Sequence, residues 1–335
     1  MLDRALAIPL HRAAVLDEPV LLQGPRGAGK SALLRLEFPA HTYVALDDAA
    51  DRVRARKDPQ AFLSRLRGPS IIDDIHRAPE LLALLAQAVH GRPHILCSSR
   101  RLQLPFDTFE LYPPTQAERA GRKPVSLEML GRFAPAQTEL LSAPWPLKRT
   151  YIERDVRDLI GVHDLDRFEL FAQAAEARSG QILDQQELAR ACAVSHRTVT
   201  RWLALLYACF QTLLIPPSLL AFGRRLMRSP KLHFLASPAL ESQAVWEIYA
   251  NARHAGITPE LTYWRDSNGF EIPLIVQPET APPMPVIIAE EPNPTEVARL
   301  HRWMQLASVE HGALIARRAG RLRQRGIVSY SITQL

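Results

Sequence analysis

Val20-Leu21-Leu22-Gln23-Gly24-Pro25-Arg26-Gly27-Ala28-Gly29-Lys30-Ser31 decides the fold. A short apolar run enters a glycine-rich turn, and a helix-forming stretch, Ser31–Leu36, leaves it; residues 24–31 fit G-x-x-x-x-G-K-[ST]. Gly24, Gly27 and Gly29, with Pro25, Arg26 and Ala28 between them, let the backbone turn tightly enough for successive N–H groups to converge on phosphate oxygens. The helix that starts near Lys30 adds the partial positive charge of its N-terminus. Lys30 would set an ammonium on the β and γ phosphates, and the Ser31 hydroxyl would join the shell of a Mg²⁺ ion. A glycine-rich turn with one surface lysine is the plainer alternative, and the strand–turn–helix context argues against it.

Outward from the loop, strand signals recur at Thr42–Leu46, Ser70–Ile72, His94–Cys97 and Phe106–Tyr112. Helical patterns at Asp51–Leu66 and Glu80–Val89 separate them. That alternation predicts an α/β fold with a mostly parallel sheet covered on both faces. A triphosphate loop needs a carboxylate on a neighbouring strand, and the run Ser70-Ile71-Ile72-Asp73-Asp74-Ile75 supplies two. Asp73 is the expected metal-side acid, and Asp74 stands where a carboxylate can polarise an attacking water. Paired acids at a strand end also serve as helix caps, and that reading stays open.

The chain has 335 residues, enough for two or three domains. Its hydrophobic share of 47% and charged share of 23% exclude wholesale disorder. The net charge of +6 permits contact with nucleic acid without demanding it. Three scattered cysteines, Cys97, Cys192 and Cys209, are too few for a disulfide framework or a zinc site and suit a reducing compartment. The first residues lack the apolar core of a secretory signal, and the apolar stretch Trp202–Phe222 is interrupted by Gln211, Pro216 and Pro217. These features lead us to expect a cytoplasmic chain with no membrane partner. Strand signals fade after Pro113-Pro114, helical patterns dominate from Tyr151 to about Leu214, and a Pro-rich mixed region follows. The expected division is 1–142, 143–215 and 216–335.

These motifs resemble a prokaryotic family of predicted AAA-superfamily ATPases, in which a P-loop domain is fused to a C-terminal domain of unknown function. The resemblance rests on residues 24–31, Tyr43–Asp48, Asp58–Leu63, Ile71–Leu82, Leu96–Ser99, Tyr151–Val156, the helices around Leu188–Leu206, and Tyr263–Ile272. It implies ATP and Mg²⁺ as cofactors, with Ser98 or Ser99 sensing the γ-phosphate. The departures bear on turnover. The family has Asp-Glu-hydrophobic-Gln where this chain has Asp73-Asp74-Ile75-His76, so the second carboxylate is a methylene short. Leu104-Pro105 stands where the family has a Gly-Arg pair; Arg100 and Arg101 are nearby but not equivalent. A trans-acting arginine can contribute about 10³–10⁵ in rate, so the expected ATP hydrolase is slow.

Leu188–Ser195 followed by His196–Trp202 scans as a helix-turn-helix, with Leu188, Cys192, Val194, Val199 and Trp202 buried and Ser195 capping the second helix. His196, Arg197, Thr200 and Arg201 then form an exposed face able to meet DNA phosphates and base edges. A lid or packing module with solvated arginines is the alternative. The resemblance implies a winged-helix element here and a restriction-endonuclease-like fold at the end of the chain. There the expected Glu-x-Asp and Glu-x-Lys read Glu271-Ile272-Pro273 and Ile288-Ala289-Glu290, leaving Glu241, Glu271, Glu290 and Glu291 without the central Asp or the lysine. Metal-assisted hydrolysis of nucleic acid is not expected from that set. Three functions remain: a weak ATPase coupling nucleotide state to domain arrangement, an ATP-bound nucleic-acid-binding regulator, and a silent adaptor acting through another protein or through self-association.

Overall fold

The apolar runs that precede turns in the first third of the chain become short strands, and Val20–Gln23, Ser70–Asp73 and His94–Ser98 are buried throughout. A computed structural model describes residues 2–16, 18–87, 94–123, 165–223, 226–317 and 326–335. The chain divides into two compact units: Met1–Pro114 with Ala208–Phe210 and Arg253–Ile257, and Thr115–Tyr207 with Gln211–Ala252 and Thr258–Leu335.

In the first unit, β1 (Val20–Gln23), β2 (Thr42–Ala45), β3 (Ser70–Asp73), β4 (His94–Ser98) and β5 (Asp107–Glu110) form a sheet in the order β2-β3-β4-β1-β5. Every neighbouring pair is parallel. Parallel neighbours need crossovers, so the helices cover the faces and both faces are buried. Val20 and Leu22 pack on one side with Leu6, Leu10, Leu33 and Leu34. Leu21, Ile72 and Leu96 pack on the other with Phe62 and Leu81.

The helices are α1 (Ala7–Ala14), α2 (Lys30–Glu37), α3 (Ala49–Lys57), α4 (Pro59–Arg65) and α5 (Pro79–Gln87). The expected single helix over Asp51–Leu66 is therefore two. Asp58 ends α3 and caps α4 by accepting the Ala61 N–H at 2.9 Å. Pro59 follows at the first helical position, where its missing N–H costs nothing. Of the helix expected over Glu80–Val89, residues 88 and 89 lie outside the described residues.

In the second unit, α6 (Gln116–Arg119) precedes α7 (Leu165–Glu176), β6 (Gln181–Ile182), α8 (Gln185–Ala191), α9 (His196–Ala208), β7 (Thr212–Ile215) and β8 (Lys231–Phe234). The three strands make an antiparallel sheet in the order β6-β8-β7. The expected run of helix to Leu214 is thus interrupted, because Thr212–Ile215 pairs with β8. Trp202 is the centre of this core, with ring centroids 5.6 Å from Phe168 and 5.2 Å from Phe171. The helix expected from Tyr151 is described only from Leu165, and the boundary expected at 142/143 lies outside the described residues.

The rest of the unit comprises α10 (Leu240–His254), β9 (Glu260–Arg265), β10 (Glu271–Gln277), β11 (Met284–Ala289), α11 (Pro294–Ala307), β12 (Gly312–Ala316) and β13 (Ile327–Ser331). Its five-stranded sheet runs β13-β12-β11-β10-β9, antiparallel from β9 to β11 and parallel from β11 to β13. Leu300 and Trp303 of α11 bury against Trp264, Ile287 and Leu314. Among the described residues no helix is long and apolar enough to cross a membrane.

Candidate nucleotide-binding site

The glycine-rich loop leaves the carboxyl end of β1 and enters α2. A Cβ on Gly24 would lie 2.0 Å from the Leu111 carbonyl oxygen, so only glycine lets the chain pass there. The Gly24 N–H donates to the Ser98 carbonyl at 3.2 Å, which ties the loop to the end of β4. Gly29 precedes α2 at φ 96°, a left-handed backbone that glycine adopts without strain.

Lys30 is buried, and its Nζ donates to the carbonyls of Gly24 at 2.8 Å and Pro25 at 2.9 Å. No carboxylate lies within ion-pair distance of it among the described residues. Burial lowers its pKa, opposed by the field of Asp73 and Asp74. A desolvated ammonium satisfied only by neutral carbonyls is suited to an incoming polyanion.

Ser31 donates to Asp73 Oδ2 at 2.5 Å. The Tyr43 hydroxyl donates to the same oxygen, and Asp73 Oδ1 accepts the Asp74 N–H at 2.9 Å. Burial raises the Asp73 pKa, but hydrogen bonds from Cys97, Ser31 and Tyr43 outweigh it and leave the carboxylate more acidic than usual. Ser31 and Asp73 therefore present the oxygen donor set that a hard divalent cation takes.

Asp74 occupies a left-handed backbone at φ 55°. Its Oδ2 is 3.5 Å from Arg77 Nε and 4.0 Å from Arg26 Nη2, so its charge is shared with two guanidiniums. Burial nevertheless raises its pKa, against the pull of Arg26 and Arg77. The two serines differ. Ser98 Oγ closes a local turn, donating to the Arg100 carbonyl at 2.7 Å and accepting the Arg100 N–H at 3.0 Å. Ser99 Oγ is buried with no hydrogen-bond partner among the described residues.

Arg101 is fixed in place. It pairs with Glu110, donates to the Tyr112 hydroxyl at 3.0 Å and stacks 4.2 Å over the Phe210 ring. Arg4 carries no sequence signal, yet its guanidinium donates to the Ala28 carbonyl at 2.9 Å and the Tyr112 carbonyl at 2.6 Å, bracing the loop from the side.

In the second unit, Leu188, Val199 and Trp202 are buried, Cys192 and Val194 are partly so, and the Thr198 N–H donates to the capping Ser195 Oγ at 3.0 Å. His196, Arg197, Thr200 and Arg201 are exposed, with Thr200 Oγ1 donating to Gln185 at 2.9 Å. Further along, Lys231 Nζ lies 2.7 Å from Glu241 and also pairs with Glu271, while Glu290 pairs with Arg317 at 2.6 Å. A buried ammonium thus neutralises two of the acids, and a guanidinium a third.

Residues 16–108 match the AAA domain family, which supports an AAA-type domain here, and the parallel five-stranded sheet is consistent with a P-loop fold. Such a domain implies nucleotide binding, usually with Mg²⁺. Residues 147–237 match a domain of unknown function (DUF8612). The chain is 28% identical over 309 residues to an uncharacterized protein of Mycobacterium tuberculosis, covering 80% of this chain and 68% of the relative. A Mycobacterium bovis protein, also uncharacterized, matches with the same figures.

Proposed function

We propose that the chain binds Mg-ATP on residues 24–31 and hydrolyses it slowly, coupling nucleotide state to the arrangement of three domains divided near residues 142 and 215. The observation that carries this reading is the buried Lys30 ammonium, which among the described residues is held by loop carbonyls alone, one helical step from the Ser31–Asp73 pair. Loop N–H groups and Lys30 would bind the phosphates, and Ser31 with Asp73 would hold the metal. A bound Mg²⁺ supplies charge neutralisation on the β and γ phosphates. Asp74 would take the attacking water's proton, and Ser99, whose hydroxyl has no partner among the described residues, is better suited than Ser98 to meet the γ-phosphate. Slow turnover follows from two features. The Asp74 carboxylate is drawn toward Arg77 and Arg26, and the Arg101 guanidinium is committed to Glu110 and Phe210. Calorimetry of Lys30→Ala with Mg-ATP tests the site: binding should be lost, and unaltered affinity would overturn the proposal.

A second reading, a nucleic-acid-binding regulator, is favoured by the succession α7-β6-α8-α9-β7-β8 with its β6-β8-β7 sheet. That succession suits a winged helix, with α9 offering His196, Arg197, Thr200 and Arg201 to DNA.

A further inference from the structure

Tyr43 lies on β2, two residues before Ala45, whose Cα pairs with that of Asp73. Side chains two apart on a strand share a face, so the phenol of Tyr43 is carried toward the Asp73 carboxylate. Its O–H donates to Oδ2, the oxygen that accepts from Ser31 at 2.5 Å, while Oδ1 accepts the Asp74 N–H at 2.9 Å. Both carboxylate oxygens are therefore tied, and rotation about the Asp73 side chain would break at least one bond. Tyr43 is itself held from the helix that begins with Lys30, because the Arg35 guanidinium stacks 4.0 Å over its ring.

A serine hydroxyl has one proton and two lone pairs, and the position of its acceptor decides where the lone pairs point. We propose that Tyr43 is a positioning residue for the metal side of this site. It fixes Asp73 so that Oδ2 takes the Ser31 proton and the Ser31 lone pairs turn toward a divalent cation. The proposal rests on the ATP-binding reading above and deepens it by assigning the metal requirement to a residue outside the glycine-rich motif.

Tyr43→Phe removes the O–H and keeps the ring under Arg35. Binding of a non-hydrolysable ATP analogue to the full chain is measured by calorimetry across a Mg²⁺ series and in EDTA. The variant should need about three- to tenfold more Mg²⁺ for half-saturation, the effect of one lost hydrogen bond. Its affinity in EDTA should stay within about twofold of wild type, a result that also shows the site is folded. An unchanged or lowered Mg²⁺ requirement overturns the proposal. So does a shift that appears only in Tyr43→Leu, since the ring and not the hydroxyl would then matter. Failure of the wild-type chain to bind the analogue at all overturns the ATP-binding reading instead, and this assignment with it.

Discussion

Ser31 Oγ and Asp73 Oδ2 stand 2.5 Å apart, joined by a hydrogen bond from the first turn of α2 to the last residue of β3. The two groups come from segments 42 residues apart and meet because β3 lies one strand beyond β4, the neighbour of β1. Asp73→Asn keeps the shape but replaces one acceptor oxygen by a donor and removes the charge. Hydrogen bonds to charged groups contribute about 1.5–3 kcal/mol. The Mg²⁺-dependent part of ATP affinity should therefore fall about tenfold or more. Affinity in EDTA should hold, and titration calorimetry with and without Mg²⁺ reads both.

Asp74 has two demands placed on it. Its left-handed backbone at φ 55° favours a short polar residue, whereas the proposed role of polarising an attacking water favours a longer arm. Asp74→Glu should raise steady-state phosphate release several-fold, because the extra methylene carries the carboxylate past Arg77. The same change should lower stability by up to about 1 kcal/mol through the backbone. A drop in phosphate release would mean that the ion pair with Arg77, and not reach, sets the rate.

The glycine-rich loop and its strands were legible because they are local. Tight turning demands Gly24 and Gly29, and continuous apolar runs such as Ile71-Ile72 mark strands buried on both faces. The exposed face of α9 was equally readable from its 3.6-residue period. Contacts across the fold were not. Tyr43 reaches Asp73 through the pairing of β2 with β3, Arg4 reaches the loop from before α1, and Lys231 meets Glu241 and Glu271 from another sheet. Thr212–Ile215 reads as helix because a short apolar run has no period of its own, and only its partner β8 makes it a strand. The break at Asp58-Pro59 was written in the sequence, since a capping acid followed by proline starts a new helix.

His76 is buried, with Nδ1 3.3 Å from Ser98 Oγ. Burial first, then the charges of Arg100 and Arg77, hold its pKa down at about 3. The unfolded value is about 6.5. Between these values the unfolded chain takes up a proton that the folded chain refuses. Stability contributed by the neutral ring is therefore complete above about pH 6.5 and is lost as pH falls toward 3, by up to about 1.4 kcal/mol per pH unit. His76→Gln removes that loss. Urea unfolding at pH 7, 6 and 5 should show the variant gaining on wild type as pH drops. A difference that stays constant with pH would show that the ring takes up its proton in the fold as readily as in the unfolded chain.

Arg197 tests whether the exposed face of α9 meets nucleic acid or solvent. A guanidinium that neutralises one phosphate releases about one condensed counterion, so the slope of log affinity against log salt counts such contacts at about 0.9 each. If the winged-helix reading holds, Arg197→Ala should lower that slope by about 0.9 in gel shifts on duplex DNA. The effect should be similar for unrelated sequences, because phosphate contacts carry no sequence information. Thr200 gives the control: its hydroxyl already donates to Gln185 at 2.9 Å, and Thr200→Ala leaves the charge on the face unchanged. A salt slope that moves with Thr200→Ala but not with Arg197→Ala would point to altered helix packing and leave α9 without a phosphate contact.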